Sequence, residues 1–85
     1  NDITAYVMAQ EYVKERLKAP ATAKFPHIND RGVEAKYLGN CTHRIVGYVD
    51  AQNGFGAMLR THYAVQVMHN PKTDGWAVLE EKINN

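Results

Sequence analysis

The segment RIVGYVDAQNGFGAMLRTHYAVQVM, Arg44 to Met68, holds two runs rich in Val, Ile and Tyr on either side of the cluster Asn53-Gly54-Phe55-Gly56. Branched and aromatic side chains suit a pleated, half-buried surface, and Asn-Gly between two such runs signals a hairpin. Two registers compete for it. A two-residue turn at Asn53-Gly54 pairs Val46 with Thr61 and Tyr48 with Leu59, and leaves Ile45 and Val49 opposite His62 and Met58. An odd-length loop, spanning Asn53 to Phe55 or Gln52 to Gly56, pairs Ile45 with Tyr63, Val49 with Leu59, Ala51 with Ala57 and His43 with Val65. A one-residue slip turns a whole strand over, so the register that gathers apolar side chains on one face is preferred. The odd loop does this. It leaves Tyr48, Asp50, Gln52, Met58, Arg60 and His62 on a polar, solvent-facing side, with Arg60 opposite Tyr48 and diagonal to Asp50.

Outside the hairpin, Val33 to Leu38 is short and alternating, and Trp76 to Ile83 reads as a closing strand. The strand readings nearest the hairpin are Arg44 to Gln52 and Ala57 to Met68. Short connections between four consecutive strands imply an antiparallel meander. Asp2 to Lys18 contains no Gly or Pro, and Ile3, Tyr6, Val7, Val13 and Leu17 fall on one side of a helix. Asp2 is the expected N-cap, and Pro20 stops the helix. Gln10 lies within the apolar stripe, as a buried or half-buried amide. Ala19 to Gly32 is the longest irregular segment, with Phe25 as its anchor to the core. The predicted fold is therefore α+β: a two-layer domain, residues 1 to 85, with one N-terminal helix on a four-stranded antiparallel meander sheet. Val7, Val13 and Leu17 are expected to pack on Ile45, Val49, Leu59, Tyr63 and Val65.

Charge and cysteine content narrow the partners. Ten Lys and Arg face nine Asp and Glu, giving a net charge of +1, and neither half of the chain forms a basic field. Nucleic acid is not an expected partner. The single Cys, Cys41, forms no internal disulfide and does not decide the redox compartment. No run is long and apolar enough for a membrane span, and the opening Asn1-Asp2-Ile3 starts no signal-peptide pattern. Cys41 and His43 are two apart, on one face of a strand. His43 and His62 fall on opposite faces in either register, and His27 and His69 belong to separate loops. No metal or other cofactor is expected. Gly54-Phe55-Gly56 opens a strand rather than a helix, so it reads as hairpin geometry and not as a phosphate loop.

Two stretches carry a family resemblance. One is Met8-Ala9-Gln10 continuing to Leu17-Lys18-Ala19-Pro20-Ala21-Thr22-Ala23-Lys24-Phe25-Pro26; the other is Gly47-Tyr48-Val49-Asp50-Ala51-Gln52-Asn53-Gly54-Phe55-Gly56-Ala57-Met58-Leu59-Arg60-Thr61. Together they resemble a family of small uncharacterised bacterial domains in which a helix ends in a Leu-Lys-Ser-Pro-Ser-Thr-Ala-like segment. A Tyr-Val-Asp-(Ser/Ala)-Gln-Asn-x-Phe-Gly-Ala hairpin, a downstream Arg and a Trp in the last strand complete the pattern. The resemblance runs from about Ala5 to Ile83. Members often follow a zinc ribbon, a membrane anchor or a lipoprotein signal, which implies an extracytoplasmic domain, in the periplasm or at the cell surface. It implies no reaction. Members frequently have Cys where this chain has Val65, and a plain turn where it has Asn40-Cys41-Thr42, so a redox role would not carry over. The loop Asn70 to Gly75 is particular to this chain, and reads either as a specificity loop or as a plain turn.

The polar hairpin face is the leading functional candidate. Asp50 and Arg60 read either as a structural ion pair or as the centre of a recognition patch with Tyr48, Gln52, Asn53, Phe55 and His62; aromatic and Arg side chains are frequent interface anchors. The expected function is non-enzymatic binding of a protein partner or larger assembly by a domain of an envelope-associated or secreted bacterial protein, with a cytoplasmic location as the alternative to an extracytoplasmic one. The alternatives are a small hydrolase working from the same face and a purely structural accessory domain.

Overall fold

The computed structural model describes residues 1–84 and contains one helix, α1 (Asp2–Lys14), and four strands, β1 (Glu34–Gly39), β2 (Thr42–Gln52), β3 (Met58–Asn70) and β4 (Gly75–Asn84). The strands form a single antiparallel sheet in the order β1-β2-β3-β4, with α1 packed on one face. This is the α+β meander expected from the sequence. The helix is shorter than expected: Glu15 to Lys18 form turns, with Arg16 N donating to Val13 O and Leu17 N to Lys14 O. Its N-cap is Asn1 rather than Asp2, because the Asn1 side-chain oxygen accepts from Thr4 N at 2.8 Å while Asp2 already lies inside the first turn.

The face that α1 buries differs from the expected stripe. Ala5, Tyr6, Ala9 and Val13 are buried, whereas Ile3 is 64% and Val7 43% exposed. At 100° per residue Ala5, Ala9, Val13 and Tyr6 share one arc, and Ile3 and Val7 fall outside it, about 110° and 150° from its centre. Two alanines at the contact let the helix backbone come close to the sheet. The larger aliphatics are left outside because size alone does not choose the face. Leu17, beyond the helix end, is half-buried against the core.

The core is completed by Ile45, Val49, Tyr63, Val65 and Val67 from β2 and β3. The β2–β3 register pairs Ile45 with Val65, Val49 with Thr61, Ala51 with Leu59 and His43 with Val67. The expected odd-loop register thus sorts the side chains onto the correct faces but is two residues off in pairing, because the loop is Asn53 to Ala57 rather than either span expected. Leu59 consequently lies beyond the helix and is 54% exposed, not in the core. Gly47 sits opposite Tyr63, and a Cβ there would come within 2.9 Å of the Tyr63 hydroxyl oxygen. The glycine makes room for that ring. Burial without a hydrogen-bond partner pushes the Tyr63 hydroxyl above its ordinary pKa.

The long connection between helix and sheet is tied down at intervals. It contains a 3-10 turn, Pro20–Thr22, and its Lys24 exchanges two backbone hydrogen bonds with Asp50, at 2.8 and 3.0 Å, continuing the sheet beside β2 where β1 has not yet begun. Phe25 and Ile28 pack on the core, and the Tyr6 hydroxyl donates to Pro26 O. Ala9→Leu should destabilise the domain by about 1 to 3 kcal/mol, since the close helix–sheet contact has no room for added methylenes. Ile3→Ala should change stability by no more than about 0.5 kcal/mol. Urea denaturation of both variants checks the assignment of faces.

Candidate functional site

At the free end of the β2–β3 hairpin, Asn53 organises the loop. Its backbone N donates to Ala57 O at 2.9 Å, its carbonyl accepts from Gly56 N at 3.0 Å, and its side-chain Oδ1 accepts from Phe55 N and Ala57 N at 2.9 and 3.0 Å. Gly56 takes a φ of 82°, which closes a loop that a residue with a Cβ would strain. Phe55 projects from this braced frame and is 97% exposed. Gln52, just before the loop, is exposed and fastened through its backbone N to Thr22 Oγ1 at 2.9 Å.

On the outer face Asp50 lies directly opposite Arg60, and Tyr48 opposite His62. The expectation that Arg60 opposes Tyr48 is corrected by the same two-residue shift. All four side chains nonetheless meet. Arg60 Nε and Nη2 donate to the two Asp50 oxygens at 2.8 and 3.0 Å, its guanidinium carbon lies 4.1 Å from the centre of the Tyr48 ring, and the rings of Tyr48 and His62 are 6.1 Å apart. A fork of donors on a carboxylate fixes direction as well as distance. The arrangement is a stacked, bidentate clamp on the sheet's outer face.

The helix-side face of the same hairpin end carries a groove that sequence reasoning missed. About 350 Å³ is enclosed by Leu17, Ala51, Leu59 and Thr61, with Arg16, Lys18 and Asn53 at its edges. Leu59 reads as a core residue in the sequence, but with α1 stopping at Lys14 it becomes a groove wall; Leu17 packs on the core as expected and lines the groove as well. The legible signal was strand length, since two runs of this size outlast a short helix. The groove also brings together the two stretches that carry the family resemblance.

Other singled-out residues lie elsewhere. Cys41 is in the β1–β2 turn with a φ of 58°, not on a strand face beside His43. His43 is on the helix side of the sheet, where its Nε2 meets Asp2 Oδ1 at 3.0 Å, and His62 is on the outer face. His69, which the sequence placed in a loop, belongs to β3. Among the described residues no three His, Cys, Asp or Glu side chains are grouped to hold a metal ion, and no helix is long and apolar enough to cross a membrane. Set against protein-family models, curated proteins and solved structures, the chain matches none.

The clamp has a pH signature. The hydrogen bonds from Arg60, followed by its charge, hold the Asp50 carboxyl below its ordinary pKa of 3.8. Because the folded value is depressed, the stabilisation is fully present above 3.8 and is lost as pH falls through the lower folded value. An NMR titration of the Asp50 carboxyl carbon should give a midpoint under 3.8 in the parent, moving back toward 3.8 in Arg60→Gln.

Proposed function

We propose that the chain is a non-enzymatic binding module that engages a protein partner with the hairpin end, within the kind of bacterial extracytoplasmic domain its sequence resembles. The observation that carries this reading is Phe55: a large apolar side chain, 97% exposed, on a loop whose geometry is fixed by four hydrogen bonds. Leaving such a ring in water forgoes roughly 1.5 to 3 kcal/mol of burial energy, and a braced loop loses little further freedom when it is covered. Met58 on the outer face and Leu59 on the helix side are further exposed apolar side chains near the loop, and the groove beside Leu59 offers a cavity for a partner side chain. The Asp50–Arg60–Tyr48 clamp stiffens the strands beneath the loop, which supports the structural reading of that ion pair. For the hydrolase alternative, Asp50 would be the acid or base at this face, and both of its oxygens are occupied by Arg60.

A photo-crosslinking amino acid in place of Phe55, in the full-length protein within its native envelope, tests the proposal. A discrete adduct is expected at position 55 and none at Lys72, which lies in the loop at the opposite end of the sheet. With the crosslinked partner purified, Phe55→Ser should leave thermal unfolding unchanged and weaken binding by about thirtyfold, the loss typical of an interface anchor. Equal adducts at both positions would overturn the reading.

A further inference from the structure

The two edges of the β2–β3 hairpin end differently. The bond from Asn53 N to Ala57 O makes those residues a hydrogen-bonded pair, and bonded pairs recur at every second position of an antiparallel ladder. Ala51–Leu59 and Val49–Thr61 are the next bonded pairs, and the residues between them turn their backbone groups away from the partner strand. On β2 the outward residues nearest the loop are Asp50 and Gln52. Both are answered within the chain: Asp50 exchanges two backbone hydrogen bonds with Lys24, and Gln52 N donates to Thr22 Oγ1. On β3 they are Met58 and Arg60. β4 borders β3 on that side, but it pairs only as far as His62, which lies opposite Asn84. Among the described residues no hydrogen bond from another element reaches the backbone of Met58 or Arg60.

This open stretch is accessible. Met58, Leu59 and Arg60 are exposed, and the groove walled by Leu17 and Leu59 extends to Arg60 at the same edge. Donors and acceptors that recur about every 7 Å along an extended backbone are matched in full by a second extended backbone, and pockets for its alternate side chains add selectivity. Lys24 already makes that match on the other edge of the hairpin. Charge selects further. No Asp or Glu lines the groove, and Arg16 and Arg60 at its margin are engaged by Glu81 and Asp50. Lys18, whose stem lies near Gly54 of the loop, has no ion pair among the described residues.

We propose that the edge of β3 at Met58 to Arg60 takes up an extended strand of a partner protein, antiparallel to β3 in the lane beyond β4. An apolar side chain of that strand enters the groove beside Leu59, and a carboxylate near its C-terminal end, which antiparallel pairing brings to the hairpin loop, meets Lys18. This states how the partner is held and rests on the reading that the hairpin end engages a protein.

The probe is the synthetic peptide acetyl-Thr-Ile-Thr-Glu-amide, titrated against the amide NMR spectrum of the protein. Residues opposite Met58 and Arg60 share their face, so the two threonines point to the outer side and direct their N–H groups at β3, while the isoleucine enters the groove with its N–H turned away. Saturable shifts centred on the Met58 and Arg60 amides are expected below about 20 mM peptide. N-methylation of both threonines should weaken binding at least about tenfold, and N-methylation of the isoleucine by less than about threefold. Lysine in place of the glutamate should weaken it about two- to fivefold at low salt. Absence of saturation, equal affinity of the two N-methylated forms, or no loss with the lysine peptide would each overturn the proposal. Any of these with the crosslinked adduct at position 55 intact would refute this mode of pairing and leave the partner reading standing.

Discussion

A mismatch of lengths governs this molecule. Helix α1 and strand β3 each have 13 residues. A helix rises 1.5 Å per residue and a strand about 3.3 Å, so α1 spans about 20 Å and β3 about 43 Å. The longest dimension of the domain, 42 Å, is that of the sheet. The helix can therefore roof only the middle of the sheet's inner face, and both ends of that face extend past it. At one end the turns after the helix fold over Ala51 and Thr61 and leave Leu59 exposed; at the other lie the rings of Tyr37, His69 and Trp76. The groove at the hairpin end follows from one helix that is too short for the strands it lies on.

Contact between the layers is correspondingly economical. The helix meets the sheet through Ala5, Ala9, Tyr6 and Val13, and the largest side chains shut off entirely from solvent among the described residues are Ile45, Val13, Val49, Val65 and Val67. A core this thin needs the connection from Ala19 to Val33 as a third element. Its exchange of hydrogen bonds between Lys24 and Asp50 lengthens the sheet beside β2, and Phe25, Ile28 and Val33 seal the flank. Asp50 thus serves two structures at once, with its backbone in this bridge and its carboxylate in the Arg60 clamp.

The sequence was informative where periodicity and turn chemistry act locally. Alternation in Ile45, Val49, Tyr63 and Val65 assigned the faces of the hairpin, and Asn-Gly located its loop. Register within a face was less legible. Shifting by two residues preserves every inward and outward assignment, so hydrophobic pattern cannot distinguish the expected pairing of Ile45 with Tyr63 from the observed pairing with Val65. What fixes it is the Asn53 side chain, whose two accepted hydrogen bonds select a five-residue loop. The helix face failed for a related reason. Ala5 and Ala9 carry little hydrophobic weight, but a close approach rewards small size, and no residue-by-residue scale expresses the distance between two layers.

Of the candidate site, the seven residues named from the sequence do gather at one hairpin, because all lie between Tyr48 and His62 and a hairpin brings near neighbours together. They do not form one surface. Tyr48, Asp50, Arg60 and His62 occupy the outer face and satisfy one another, whereas Phe55 leaves the end of the sheet with no partner among the described residues. That difference separates their roles. A charge already answered within the chain gains little from a partner, while an aromatic ring held in water gains the full benefit of being covered. The open edge of β3 was hidden for another reason. Met58 and Arg60 lie inside the motif that drew the eye, yet their backbone groups are free only because β4 pairs no further than His62, and a pattern of side chains does not record where a neighbouring strand stops.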